Sequence, residues 1–230
     1  MTIPNPVSNF IQLYEVLQPF RGGRWVFRGV HDPEHALVPK VGRIKTLARE
    51  EKRIFEYFRR ESPAFTSEIP DDDWELLALA QHHGLPTRLL DWTENPLVAA
   101  YFASDSKYDR EGVIYAMDNR RAVKSSERSP FEISSIMRYR PRHITRRIHA
   151  QQGVFTVHPD PRTPLDVGKK NEISVHRIVI SKEYKSYLVW DLTNFGIQRA
   201  ALFPDLDGLA SHINWMFSTY DSAKAPKKSG

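Results

Sequence analysis

The 230 residues allow one large domain or two small ones, and a content of 40% hydrophobic and 11% aromatic residues is enough to bury a real core. The absence of cysteine excludes disulfides, thiolate zinc sites and cysteine nucleophiles, and it fits a reducing cytoplasm. A net charge of +5 and a pI near 9.4 suit a polyanionic or nucleotide partner without demanding one, and no apolar run reaches the roughly 18 residues of a membrane span.

The opening MTIPNPVSNF lacks the basic-then-apolar pattern of a signal peptide. Within residues 1–20, Ser8 can cap a first helix that carries Phe10, Tyr14 and Leu17 on one face. Gly22-Gly23 breaks that helix. The following RWVFRGV (24–30) reads as a strand, with Trp25 and Phe27 on one side and Val26 and Arg28 on the other. Residues 47–61 form an amphipathic helix with Leu47, Ile54, Phe55 and Phe58 on its stripe, stopped near Ser62-Pro63. Asp71-Asp72-Asp73 caps a helix from about Trp74 to His82, which Gly84 and Pro86 end. Asn95-Pro96 starts the next helix, Leu97–Ser104, which is apolar all round and therefore buried.

Further along, GVIYAMD (112–118), GVFTVH (153–158), EISVHRIVIS (172–181) and KSYLVWDL (185–192) read as strands. Asp205 or Asp207 caps a last helix with Leu209, Ile213, Met216 and Phe217 on one face, and residues 218–230 form a basic tail. Helices come early and strands late. That segregation predicts an α+β fold rather than alternating βαβ units.

Three stretches hold more polar chemistry than packing requires. Pro86–Glu94 lies between two buried helices, and its Arg88 and Asp91 need partners because an unpaired buried charge is costly. They either pair with each other and stitch a turn, or form the wall of a pocket with a helix N-terminus aimed at an anion. In VFRG (26–29), an arginine followed by glycine inside a strand suggests a bend or a close approach, and arginine suits a bidentate phosphate or carboxylate contact. IMRYRPRHITRRIH (136–149) interleaves Arg138, Arg140, Arg142, Arg146 and Arg147 with Tyr139, either as an exposed basic loop or as a contact surface for nucleic acid. His31 and His35 have ligand-like spacing, but Pro33 between them disfavours one helix face, so no metal is expected. There is no nucleophile-elbow sequence.

Phe27-Arg28-Gly29, the long QHHGLPTRLLDWTENPLVAAYFA (81–103), RRIHAQQGVF (146–155) and GIQRAALFPDLDGLA (196–210) together resemble the FRG family, a bacterial and phage domain named for its Phe-Arg-Gly motif. The resemblance spans roughly residues 20–215, which sets the domain at 21–217. The motif order is in turn similar to a remote version of the ADP-ribosyltransferase fold, which implies a single domain with a mostly antiparallel split sheet. It also implies NAD as substrate, a place in the cytoplasm, and a role in toxicity or phage defence. Arg28, Gly29, His82, His83, Thr87, Arg88, Trp92 and Thr93 would then hold the dinucleotide, and Gln152 and Asp91 would serve the chemistry. The five arginines of 138–147 would meet the acceptor or a nucleic acid. The sequence departs from that family at Gln152, where the transferases carry a catalytic glutamate. An amide orients a hydroxyl but adds no negative charge beside an oxocarbenium-like centre. Gln152 therefore either positions while Asp91 supplies charge, or the chain is a non-catalytic nucleotide- or nucleic-acid-binding module.

Overall fold

The computed structural model describes residues 6–118, 129–142, 145–165 and 173–220. Among these, the chain runs α1 (Phe10–Leu17), β1 (Trp25–Val30), α2 (Lys45–Glu61), α3 (Asp73–His82), β2 (Leu89–Thr93), α4 (Pro96–Ser104), β3 (Gly112–Asp118), β4 (Met137–Tyr139), α5 (Arg146–Ala150), β5 (Gly153–Val157), β6 (Ser174–Ile180), α6 (Lys182–Asn194), α7 (Arg199–Leu202) and α8 (Leu206–Tyr220). The fold is α+β, built on one six-stranded antiparallel sheet of order β4-β5-β2-β1-β3-β6.

The sheet is parted in the middle. β1 follows β3 from Trp25↔Asp118 to Val30↔Val113, and β2 follows β5 from Leu89↔Val157 to Thr93↔Gly153. Between β1 and β2, however, the register holds only Phe27↔Thr93. Two three-stranded halves diverge from that pair and leave a gap that side chains of both strands line.

α4 sets this arrangement. Asn95 caps it by accepting from the Leu97 amide, Pro96 fills its first turn, and Ala99, Ala100 and Ala103 let it lie close on β1. A Cβ on Gly29 would collide with the Ala99 carbonyl oxygen and the Ala103 amide nitrogen. The glycine of the Phe-Arg-Gly motif is therefore a packing requirement in the first place. Alternation along β1 sends Trp25 and Phe27 into the core around α4 and α6, and Val26 and Val30 into the core on the other face. A third core joins Phe55 of α2, Trp74 and Leu77 of α3, and Phe155 of β5.

Four expectations from the sequence change. Asn9, not Ser8, caps α1 by accepting from the Gln12 amide, and the helix buries Leu13 while Tyr14 stays exposed. Pro86–Glu94 is not a turn: its centre is strand β2, fully paired with β5. Residues 185–192 are helix, because Ser181 caps Tyr184 and the buried Tyr184, Leu188 and Leu192 recur every four residues. The late part is thus as helical as the early part. Finally, α8 runs through Tyr220, past the expected start of the tail at 218; residues 221–230 lie outside the described residues.

Candidate functional site

The parting of the sheet opens into a cleft of about 780 Å³, a size typical of small-molecule sites. Arg28 stands at its centre. Its side chain is only 17% exposed. Nη1 donates to the Asp91 carbonyl oxygen at 2.6 Å and lies 3.6 Å from Asp91 Oδ2. Nε and Nη2 donate to no described residue. Burial pulls the guanidinium below the usual arginine range, and the Asp91 carboxylate and Tyr115 oppose that shift. Two forked donors thus remain in a partly desolvated cleft, a geometry suited to a bidentate oxyanion.

Asp91 presents its carboxylate to the cleft with 61% of the side chain exposed. Gln81 Nε2 donates to Asp91 Oδ1 at 2.9 Å, and Gln81 is oriented by the Thr87 hydroxyl, which donates to Gln81 Oε1. Thr87 is completely buried and acts through Gln81 rather than in the cleft.

The remaining walls are rich in cations. Lys40 Nζ donates to the Gly84 carbonyl, and Arg43 Nε donates to that of Val38. Arg147 and Arg199 lie over the Phe203 ring at 4.4 and 4.7 Å from its centroid. Arg199 Nη1 is 3.5 Å from Asp105 Oδ2. Burial raises the Asp105 carboxyl above its usual range, against the pull of Arg199 and Lys185. His31 and His82 also line the cleft. Burial holds both below the usual histidine range, helped by Lys107 and Lys185 at His31 and by His83 and Arg147 at His82. Both shifts favour the neutral ring, the form that can accept a proton. Among the described residues no group of three or more histidine, aspartate or glutamate side chains could hold a metal ion, and no helix is long and apolar enough to cross a membrane.

Of the residues singled out from the sequence, Arg28, Gly29, His82, Asp91, Trp92, Thr93 and Arg147 come together in this cleft. Trp92 forms part of the wall, but its indole nitrogen is committed to Thr156 Oγ1. Thr93 donates to the Gln151 carbonyl at 2.6 Å and tethers α5 to β2. The others lie elsewhere. Arg88 does not pair with Asp91. Its Nε and Nη2 donate to Glu51 Oε2 at 3.0 and 2.7 Å, and Nη1 reaches the carbonyls of Pro130, His158 and Pro159. His83 is exposed at the C-terminal cap of α3. Gln152 is exposed at a left-handed φ of 47°, and it is Gln151 that lines the cleft, with Nε2 donating to the Leu202 carbonyl. The turn that brings β5 into register places the first of the two glutamines inward.

The basic strip is likewise divided. Arg140 pairs with Glu94, Arg142 offers its backbone amide to Glu75, Arg138 lies on β4, and Arg146 is exposed on α5; only Arg147 reaches the cleft. The expected helix N-terminus is absent from the lining too. α4 contributes Phe102 near its C-terminal end and the following Asp105 and Ser106. Gln81, Gln151, Lys40, Arg43, Asp105 and Arg199 were not singled out from the sequence as site residues, and only Gln81, Gln151 and Arg199 fall in the quoted motifs.

Fold and site thus define an α+β protein with a cation-lined cleft through a parted antiparallel sheet. Residues 23–112 match the family model of the FRG domain. That match holds Arg28, Gln81 and Asp91. Segments 146–155 and 196–210 lie beyond it, yet they supply Arg147, Gln151, Arg199 and Phe203 to the same cleft. No curated protein and no solved structure matches the chain.

Proposed function

We propose that the cleft binds NAD and that the protein acts as an ADP-ribosyltransferase-like enzyme upon it. The observation that carries this reading is Arg28, whose Nε and Nη2 face the cleft without a described partner while Nη1 is fixed by Asp91. A pyrophosphate oxygen pair answers that fork, and Lys40, Arg43 and Arg147 add positive charge around it. Rupture of the nicotinamide–ribose bond leaves an oxocarbenium-like ribose and releases neutral nicotinamide. The Asp91 carboxylate, oriented by Gln81, stabilises the cation by charge. Gln151, in place of Gln152, offers an amide to orient a ribose hydroxyl. A non-catalytic reading of the same cleft is favoured by one observation: both residues at the family's glutamate position, Gln151 and Gln152, are amides.

Nicotinamide release from NAD separates the two readings. Wild type is expected to release nicotinamide. Asp91→Asn should slow release by about 10²–10³-fold, the effect of losing one preorganised charge-stabilising group, while NAD still binds. Binding without release in wild type supports the non-catalytic module, and neither binding nor release removes NAD from the site.

A further inference from the structure

A second cavity of about 780 Å³ lies beside the cleft, between α2, the turn at residues 62–69 and α3. Its character is the opposite of the cleft's. Ile54, Tyr57, Phe58, Phe65, Ile69 and Leu79 line it, and Phe65 and Tyr57 remain 87% and 60% exposed. Aromatic rings presented to water around a concavity mark an interaction surface. Among the described residues no lysine or arginine lines this groove, though Arg60 lies over the outer Tyr57 ring, whereas Glu61 and Glu68 do line it. Glu61 has Arg60 as partner, and Glu68 has no ion pair among the described residues. His82 and Leu85 line both the groove and the cleft, so the two cavities share a wall.

We propose that this groove docks a polypeptide segment that inserts an aromatic or aliphatic side chain between Tyr57 and Phe65 and sets a flanking cation against Glu68. Continuity through His82 and Leu85 lets the bound segment extend into the cleft, and describing it as the acceptor rests on the transfer reading. The acidic rim disfavours the phosphates of a nucleic acid, and at the shared wall burial, then His83 and Arg147, favour the neutral form of His82. An apolar anchor in a desolvated pocket flanked by a charge pair is the arrangement in which few residues carry most of the binding.

The test uses the full chain labelled with ¹⁵N and three probes: a short Lys-Phe-Lys peptide, its Glu-Phe-Glu counterpart, and oligothymidylate. The Lys-Phe-Lys peptide should shift amides within 54–69 and 79–85, and the Glu-Phe-Glu peptide should bind at least about tenfold more weakly. The double substitution Tyr57→Ser, Phe65→Ser removes two largely exposed rings and, inside the protein, the contact of Tyr57 with the exposed Arg60 guanidinium; it should weaken the Lys-Phe-Lys peptide by at least about tenfold with little change in melting temperature. The proposal is overturned if no peptide shifts these amides, if the double variant binds as tightly as wild type, or if oligothymidylate shifts them more strongly than the peptide. An NAD titration of the same samples keeps the readings apart. Peptide binding without NAD affinity upholds the groove and removes the acceptor role, whereas NAD affinity without peptide binding removes the groove alone.

Discussion

Arg28 and Arg88 lie on or beside neighbouring strands, and both come from the densest motifs of the chain, yet the structure uses them in opposite ways. Arg88 is closed off. Its side chain is 10% exposed, Glu51 takes two of its nitrogens, three carbonyls surround a third, and its guanidinium lies over Phe131. Arg28 is nearly as hidden from water but only one of its nitrogens is engaged. A buried arginine whose donors are all answered holds a structure together. One with donors left over in a cleft is held ready for something that is not protein. Burial alone does not distinguish them; the tally of hydrogen-bond partners does.

That contrast fails most visibly if Arg88 is not structural. Arg88→Ala leaves Glu51 as a buried charge without a cation and should cost about 3–5 kcal/mol, read as a lower denaturant midpoint. A loss below about 1 kcal/mol, the range of surface ion pairs, would place Arg88 among the dispensable residues.

Acid should act on the same region. His158 stacks its hydrogen bonding on Thr156 beside Arg88, and burial first, then the Arg88 charge, lowers its pKa to about 4. The folded protein therefore keeps this ring neutral while the unfolded chain takes up a proton below about pH 6.5. The contribution is complete above pH 6.5 and is lost as pH falls from 6.5 to 4, on the order of 3 kcal/mol. Urea midpoints across that window should fall in wild type and change less in His158→Gln. Equal slopes in the two proteins would contradict the assignment.

A smaller effect belongs to the frame around Arg28. Asn95→Ala removes the cap of α4 and should cost about 1 kcal/mol, with nucleotide affinity retained because α4's first turn does not line the cleft. Loss of affinity at unchanged stability would mean that the helix start belongs to the site.

The frame of the molecule is readable from the sequence wherever local chemistry is decisive. Asp72 and Asn95-Pro96 announce their helices through capping, Gly22-Gly23 breaks the chain with φ of 96° and 71°, and the alternation of Trp25-Val26-Phe27-Arg28 gives both faces of β1. Reading fails where two periods fit the same letters. Tyr184, Leu188 and Leu192 have helical spacing inside a stretch whose residue types favour a strand, and the Ser181 cap decides. It fails again where partners are distant. Nothing near Arg88 in sequence points to Glu51, 37 residues earlier, so Asp91 looked like its partner. The cleft is half legible for the same reason. Arg28, Asp91, Arg199 and the adjacent glutamines stand in motifs, but Lys40, Arg43 and Asp105 stand in none and join them only through the fold, and a left-handed φ at Gln152 decides which glutamine faces inward.

Calorimetric titration of NAD into wild type and Arg28→Ala, with thermal melts of both, tests the central claim most directly. Arg28 makes only the Nη1 contacts to Asp91, so its removal should leave stability within about 1 kcal/mol. The expected result is saturable binding by wild type and affinity at least about tenfold lower in the variant, the loss of a charged bidentate contact, at a nearly unchanged melting temperature. Equal affinity in the two proteins, no binding by wild type, or a collapse of the variant's melting temperature would contradict the assignment of Arg28 as the anion anchor of the cleft.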